Sequence, residues 1–383
     1  MAVTKLSIAE FLQMAFKCPV LDVRSPGEFK HAHIPGAYSL PLFTDEERKI
    51  VGTAYKQESR EKAIKAGLKY FGTKMTQMVE EAEAVVTAFK PPAADNNVAP
   101  FSHDGKQPVV VHCWRGGMRS AGVAWLLDLY GFNVYTLAGG YKVFRKWVLE
   151  QFEKEYPFFV IGGYTGSGKT ELLQALKNKG ETVIDLEALA SHKGSSFGSL
   201  GQGDQPTQEM FENNLAVNLN SAAAKCRYRE NENMDNRKSS TKNVIWIEDE
   251  SQRIGNVNIP AMLYRRKQAS PVYFIDISFE ERLNHIVACY GRFEKEQLVN
   301  AIIRIKKRLG GLETKTAVGY LIEDDVKNCF AVLLKYYDKW YLKGLHQREN
   351  LEVLLNKIPC TNIDSKENAI RVLESCLPVK VVS

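Results

Sequence analysis

Apolar and polar residues fall into short blocks along the chain, and the block lengths predict strands alternating with helices. Val109-Val110-Val111 is a β-branched run too short for a helix; it leads into Cys113, and Ser120 to Tyr130 then shows helical periodicity before stopping at Gly131. Pro19-Val-Leu-Asp-Val-Arg24 reads as another buried strand, and Asn133 to Leu137 as a third, followed by an amphipathic helix from Tyr141 to about Phe152. Ser7-Ile-Ala-Glu10 and Thr44-Asp-Glu-Glu47 are capping boxes, in which a hydroxyl and a carboxylate satisfy orphan amides at a helix start. The second opens charged helical sequence to about Leu68, and another helical pattern covers Thr73 to Lys90. Glu28 to Tyr38, rich in turn residues, reads as a turn that an Asp22–Arg24 pair would pin.

Beyond Pro157 the pattern repeats. Phe158-Phe-Val-Ile161, Glu181-Thr-Val-Ile-Asp-Leu186, Val244-Ile-Trp-Ile-Glu-Asp-Glu250 and Val272-Tyr-Phe-Ile-Asp-Ile277 are strand-like runs separated by helical sequence, the signature of a parallel sheet with its ligand at the carboxyl ends. From about Phe279 no further strand is evident and the remainder looks helical. Pro91 to Pro108 and the polar Lys225 to Lys242 read as surface loops. The expected α/β architecture is an N-terminal domain over 1–145, a linker helix over 146–156, a central parallel-sheet domain over 157–278 and a helical C-terminal region over 279–383.

Composition adds exclusions. A chain of 383 residues with 44% hydrophobic and 25% charged residues is globular and too long for one core. No apolar run reaches a membrane span, and no basic-then-apolar leader opens it. Its seven scattered cysteines form no C-x-x-C pair, which argues against a disulfide framework or zinc site and for the reducing cytoplasm. A net charge of +6 permits an acidic partner without requiring one.

The chemistry concentrates in two loops. His112-Cys-Trp-Arg-Gly-Gly-Met-Arg-Ser120 lies between strand and helix, so Cys113 sits under inward-pointing amides that lower a thiol's pKa and make it a nucleophile. Trp114, Arg115, Gly116, Gly117, Met118 and Arg119 make up that loop; two glycines and two arginines are wrong for a core turn around a structural cysteine. The second loop, Gly163-Tyr-Thr-Gly-Ser-Gly-Lys-Thr170, is a full P-loop pattern: Gly163, Thr165, Gly166, Ser167 and Gly168 offer amides to a di- or triphosphate, Lys169 a charge, and Thr170 a hydroxyl for Mg²⁺. Glu248 or Asp249, ending an apolar strand, would share that Mg²⁺. Met262 to Gly311 carries ten Lys/Arg against five Asp/Glu, and Arg304, Lys307 and Arg308 fall on one face at helical spacing. That face is a solvated surface, a lid on a diphosphate, or a stripe for an RNA backbone.

Leu-Asp-Val-Arg24, Glu28-Phe, His33-Ile-Pro-Gly-Ala37 and the Cys113 loop together resemble a rhodanese domain over roughly 5–145, a fold that carries sulfur or selenium on the loop cysteine. His-Cys-x-x-Gly-x-x-Arg119 also fits a cysteine-phosphatase signature, in which the arginine grips phosphate, and the loop is one residue longer than the usual sulfurtransferase loop. A bifunctional phosphatase and P-loop kinase is therefore the rival reading. Adding the P-loop, His192-Lys-Gly-Ser-Ser-Phe-Gly198, Glu248-Asp-Glu-Ser-x-Arg-Ile-Gly255 and Glu47-Arg-Lys-Ile-Val-Gly-Thr-Ala-Tyr-Lys-Gln57, the chain is similar to the tRNA 2-selenouridine synthase family up to about residue 320. The resemblance implies a cytoplasmic transferase that replaces sulfur by selenium in wobble 2-thiouridine of tRNA. It further implies geranyl diphosphate and selenophosphate as co-substrates, an S-geranyl intermediate, Cys113 as the catalytic cysteine, and a selenophosphate-producing enzyme as a second partner.

Overall fold

The computed structural model describes residues 3–91, 106–232 and 243–376; most of the expected loops over 91–108 and 225–242 lies outside them. Contacts divide the chain into two units, 1–150 and 151–383.

In the first unit, five parallel strands form one sheet: β1 (Thr4–Leu6), β2 (Val20–Asp22), β3 (Tyr38–Ser39), β4 (Pro108–His112) and β5 (Asn133–Leu137), in the order β1-β5-β4-β2-β3. The central strand β4, apolar up to His112 at its end, has every residue buried, as a strand covered on both faces requires. Six helices accompany the sheet: α1 (Ile8–Met14), α2 (Pro26–His31), α3 (Asp45–Gln57), α4 (Arg60–Ala88), α5 (Met118–Tyr130) and α6 (Gly140–Phe152). Both capping boxes are present as read. The helical sequence divides at a different place from the expected one. Ser59 Oγ accepts from the Lys62 amide at 3.2 Å and starts α4, which then runs unbroken through Gly72 and Thr73. Glu28 to His31, expected within a turn, belongs to α2, because Ser25 and Glu28 make a third capping box with Pro26 in the first turn. Arg24 does pair with Asp22, at 2.6 Å, and also donates to the Ala32 carbonyl at 2.7 Å. Leu21, Val23, Val109, Val111, Leu127 and Cys113 share one core with Phe43 and Phe71.

In the second unit the sheet is again parallel: β6 (Phe158–Gly163), β7 (Thr182–Ile184) and β8 (Ile245–Glu248) come first, then a short antiparallel pair apart from it, β9 (Arg253–Ile254) with β10 (Val257–Asn258), then β11 (Val272–Asp276). The order is β12-β11-β6-β8-β7, where β12 (Leu355–Pro359) pairs with β11 from Val272↔Leu355 to Asp276↔Pro359. This corrects the expectation of no strand after 279. Leu355-Asn-Lys-Ile-Pro359 is an edge strand with mostly exposed positions and a proline at its end, so neither an apolar run nor clean alternation announces it.

Helices α7 (Lys169–Asn178), α8 (Leu186–Ala190), α9 (Gln208–Glu232) and α10 (Ala261–Gln268) link the strands. The helical excursion between β11 and β12 holds α11 (Phe279–Tyr290), α12 (Lys295–Arg304), α13 (Lys306–Leu309), α14 (Gly311–Ile322), α15 (Val326–Leu345) and α16 (Leu351–Leu354); α17 (Ser365–Ser375) follows β12. That excursion has its own core of Leu283, Ile302, Leu321, Phe330 and Leu333, while α17 joins α7 on the sheet through Leu172, Leu176, Ala369 and Val372. Among the described residues no helix is long and apolar enough to cross a membrane.

Candidate functional site

In the first unit the chain leaves the central strand β4 at its carboxyl end and turns through residues 113–117 before α5 begins. Gly116 stands at φ +62°, and a Cβ there would lie 2.7 Å from the Leu137 carbonyl oxygen, so only glycine allows the turn. The loop is pinned from below: the Tyr141 amide donates to the Cys113 carbonyl at 2.9 Å and the Lys142 amide to Trp114 at 3.0 Å. Cys113 is 3% exposed, with Sγ 3.2 Å from Ser120 Oγ. Burial pushes its pKa up, but the Ser120 hydroxyl and the amides of Ser120, Arg115 and Gly117 outweigh that, and the thiol lies below its ordinary value. Burial by contrast pushes Cys18 and Cys329 up to about 12. The loop is thus built to hold a thiolate.

The other loop residues divide in two. Trp114, Arg115, Gly117 and Met118 are exposed, Trp114 leaning on Tyr141 with ring centroids 5.6 Å apart. Arg119, the arginine of the phosphatase signature, donates to Glu28 Oε2 at 2.8 Å. Beneath the loop His112 is fully buried, 3.7 Å from Asp22, with neither ring nitrogen hydrogen-bonded; burial holds it below the usual imidazole range.

In the second unit the P-loop follows the central strand β6 and opens α7. Gly166 has φ +82°, and a Cβ there would meet Ile286 Cγ1 at 2.7 Å and the Arg282 carbonyl at 2.9 Å. Arg282 clasps the loop: it donates to the Thr165 carbonyl at 3.1 Å and, through two nitrogens, to Asp338 at 2.8 Å each. Lys169 Nζ donates to the Gly163 carbonyl at 3.0 Å, Thr170 Oγ1 to Glu187 Oε2 at 2.9 Å, and Ser167 Oγ is buried with no partner. The cradle opens on a cavity of about 370 Å³ whose lining includes Thr165 to Thr170, Lys193, Glu187 and Glu250 as well as Ile286, Phe330, Leu333, Leu334 and Trp340.

The acids are arranged differently from the sequence reading. Asp249 is already paired, with Arg348 at 2.5 Å and Lys267 at 3.4 Å, and accepts from Tyr341 OH at 2.9 Å. Glu248 accepts from the Glu187 amide at 2.7 Å, and burial plus the surrounding acids push its pKa well up. Asp249 lines the P-loop cavity and Glu248 does not; Glu171, Glu187 and Glu250 line it too, none of them assigned a role from the sequence. Burial, then repulsion from Glu187, pushes Glu250 up to about 8.

The basic stripe is likewise redistributed. Arg266 donates to the Phe152 and Glu153 carbonyls, at 3.2 and 2.6 Å, and Lys267 is buried on Asp249. Arg304, Lys307 and Arg308 are exposed, but the helix breaks at Ile305 between α12 and α13, and Arg308 lines the P-loop cavity.

Residues 156–358 match the family model of the tRNA 2-selenouridine synthase AAA domain, and residues 7–146 that of the rhodanese-like domain. The tRNA 2-selenouridine synthase of Pseudomonas syringae pv. tomato DC3000 is 34% identical over 315 residues, 76% of this chain and 76% of that one. That of Pseudomonas savastanoi pv. phaseolicola 1448A is 31% identical over 366 residues, 87% of this chain and 89% of its own. A crystal structure of an N-terminal domain from Clostridium difficile 630 is 33% identical and covers 39% of this chain and 99% of that one, at a TM-score of 0.32.

Proposed function

The chain belongs to the tRNA 2-selenouridine synthase family, and from that premise we propose that this tRNA-modifying enzyme makes 2-selenouridine from wobble 2-thiouridine in two stages. The P-loop unit transfers a geranyl group from geranyl diphosphate to the thiocarbonyl sulfur. The Cys113 loop then handles the exchange of that thioether for selenium supplied by selenophosphate.

The observation that carries the first stage is the mixed lining of the P-loop cavity: Lys169, the unpartnered Ser167 hydroxyl and the loop residues around them, together with aliphatic and aromatic side chains. A prenyl diphosphate has the same mixed character. During transfer the sulfur–carbon bond forms as the carbon–oxygen bond to diphosphate breaks, and the charge gathering on the leaving oxygens meets Lys169 and the loop amides. Raised carboxyls at Glu187 and Glu250 beside the Thr170 hydroxyl fit a divalent cation, because two acids that repel each other gain from one. No group of three or more His, Cys, Asp or Glu suited to a metal occurs among the described residues, so Mg²⁺ would be held by Thr170 and Glu187 only together with diphosphate oxygens. When bound, it would neutralise leaving-group charge. For the second stage, the hydroxyl and amides around Cys113 lower its pKa and favour the thiolate, a soft nucleophile.

The test uses purified full-length protein, thiolated tRNA, geranyl diphosphate and Mg²⁺, with ATP omitted. Lys169→Ala should lower geranyl transfer by several kcal/mol of transition-state stabilisation, about 3 kcal/mol by analogy with removed oxyanion donors. Pre-geranylated tRNA should bypass that loss and instead fail with Cys113→Ser. A strict ATP requirement would overturn the assignment of the P-loop to geranyl diphosphate.

A further inference from the structure

The first unit holds a second and larger cavity, about 970 Å³, between α3, α4 and the start of α5. Its walls are apolar: Phe43, Ile64, Leu68, Phe71, Met118 and Trp125 are among them. Four large hydrophobic side chains in it stand open to solvent, Tyr55, Leu68, Met118 and Trp125, each 52–58% exposed. Single exposed hydrophobics need no explanation, but four on one concave surface mark a binding site. Arg48, Lys49, Lys56 and Arg119 also line the cavity, and no Asp or Glu does. Most of the Glu47–Gln57 segment faces it, a motif for which the Cys113 chemistry has no use. The cavity adjoins the cysteine loop: Met118 and Arg119, at the loop's end, line it, and Phe43 and Phe71, which line it too, pack in the same core as Cys113.

Arg48 and Arg119 share Glu28, at 3.3 and 2.8 Å, which leaves Lys49 and Lys56 in excess. An apolar trough whose charged lining residues are all cations suits an amphiphile, apolar at one end and anionic at the other. Beside Cys113 the geometry points to one occupant, the geranyl chain of the S-geranyl-2-thiouridine on tRNA, with phosphates of the anticodon strand against the basic side chains. This assignment rests on the S-geranyl intermediate proposed above. It gives the protein two prenyl sites: the P-loop cavity receives the chain as a diphosphate, and the trough beside Cys113 holds it as a thioether. Seated there, the chain presents the thioether carbon to the Cys113 loop and lets the enzyme distinguish geranylated from unmodified tRNA before selenium is committed.

The experiment supplies full-length protein with selenophosphate and two synthetic anticodon stem-loops, one carrying 2-geranylthiouridine and the other 2-methylthiouridine. Wild-type protein should prefer the geranyl thioether by roughly a hundredfold in kcat/KM, the discrimination that a few buried methylenes provide. Leu68→Asp and Trp125→Ala replace side chains that are more than half exposed, so the core is left intact. Each should cut that preference at least about tenfold, and the Kd ratio of the two stem-loops without selenophosphate should move with it. If wild-type protein forms selenouridine from neither thioether, the S-geranyl intermediate fails and takes this assignment with it. If wild-type protein uses both thioethers equally, or both variants keep the full preference, the intermediate stands and the trough is not its prenyl site. Loss of binding to anionic vesicles in variants that keep the preference would assign the trough to a membrane surface and equally overturn the proposal.

Discussion

Ser120→Ala should raise the pKa of Cys113. Ser120 Oγ lies 3.2 Å from the sulfur and 3.1 Å from the Gly117 carbonyl oxygen, and one hydroxyl proton cannot serve both. With the thiol protonated, the hydroxyl donates to Gly117; on ionisation it turns to the sulfur. A hydrogen bond to a charged group contributes about 1.5–3 kcal/mol, and giving up the carbonyl returns about 1 kcal/mol. The net loss to the thiolate is about 0.5–2 kcal/mol. The sign follows because the variant loses a donor to the charged form only, while burial, which opposes ionisation, is unchanged. The assay is iodoacetamide alkylation of native protein from about pH 5 to about pH 10, with modification at Cys113 read by peptide mass spectrometry. Cys18, Cys289, Cys329, Cys360 and Cys376 are all pushed up by burial and stay thiols through most of that range. An alkylation midpoint that does not move in Ser120→Ala would refute the reasoning, and the three backbone amides would then carry the whole shift.

Three further outcomes follow from the second unit. Because Glu250 is raised from 4.5 to about 8, the folded protein holds a proton that the unfolded chain releases; stability without Mg²⁺ should therefore fall as pH rises through that window. Glu250→Gln should flatten the fall, and Mg²⁺ with inorganic diphosphate should raise Tm more above the window than within it, as read by calorimetry. Tyr341→Phe removes both the acceptor of the Gly163 amide at 3.0 Å and a donor to Asp249, and should cost about 1–3 kcal/mol in urea unfolding. Charge reversal at Arg304, Lys307 and Arg308 should weaken binding to all tRNAs alike and flatten the salt dependence by about two to three in log–log slope, whereas unchanged affinity would make the segment a solvated surface.

What the sequence disclosed was contiguous. The cysteine loop and the P-loop each keep their chemistry within nine residues between a strand and a helix, so the strand pattern alone places them at the carboxyl ends of two central strands. What it concealed lies between distant residues. Tyr341 is 178 positions from the amide it accepts, and Arg282 reaches 117 positions back to clasp the P-loop. Asp249 looked like a metal ligand because strand-end acids often are, but Lys267 and Arg348, the second 99 positions away, had already claimed its charge. Glu187 was invisible for a different reason: it sits in the short α8 after β7, and only the fold carries it to Thr170. The trough beside Cys113 was equally hidden, since its apolar lining reads along α3 and α4 as ordinary amphipathic helix until both are seen to leave it uncovered.

The late return of β12 to the sheet has a consequence for the order in which the protein can be made. On a ribosome, strand β6 and helix α7, which flank the P-loop, emerge well before residues 355–359 are translated. Throughout that interval β11 presents an open edge, and the side of α7 that will meet Ala369 and Val372 has no cover. Ile363, whose Cγ2 would lie 2.6 Å from a Cβ at Gly168, also arrives only then to close in on the cradle. The P-loop is therefore a late-maturing part of an early-synthesised segment, and a nascent chain stalled within the helical excursion would expose an aggregation-prone edge. Translation of β12 and α17, rather than of the motif itself, is what completes the sheet edge and the packing around this loop.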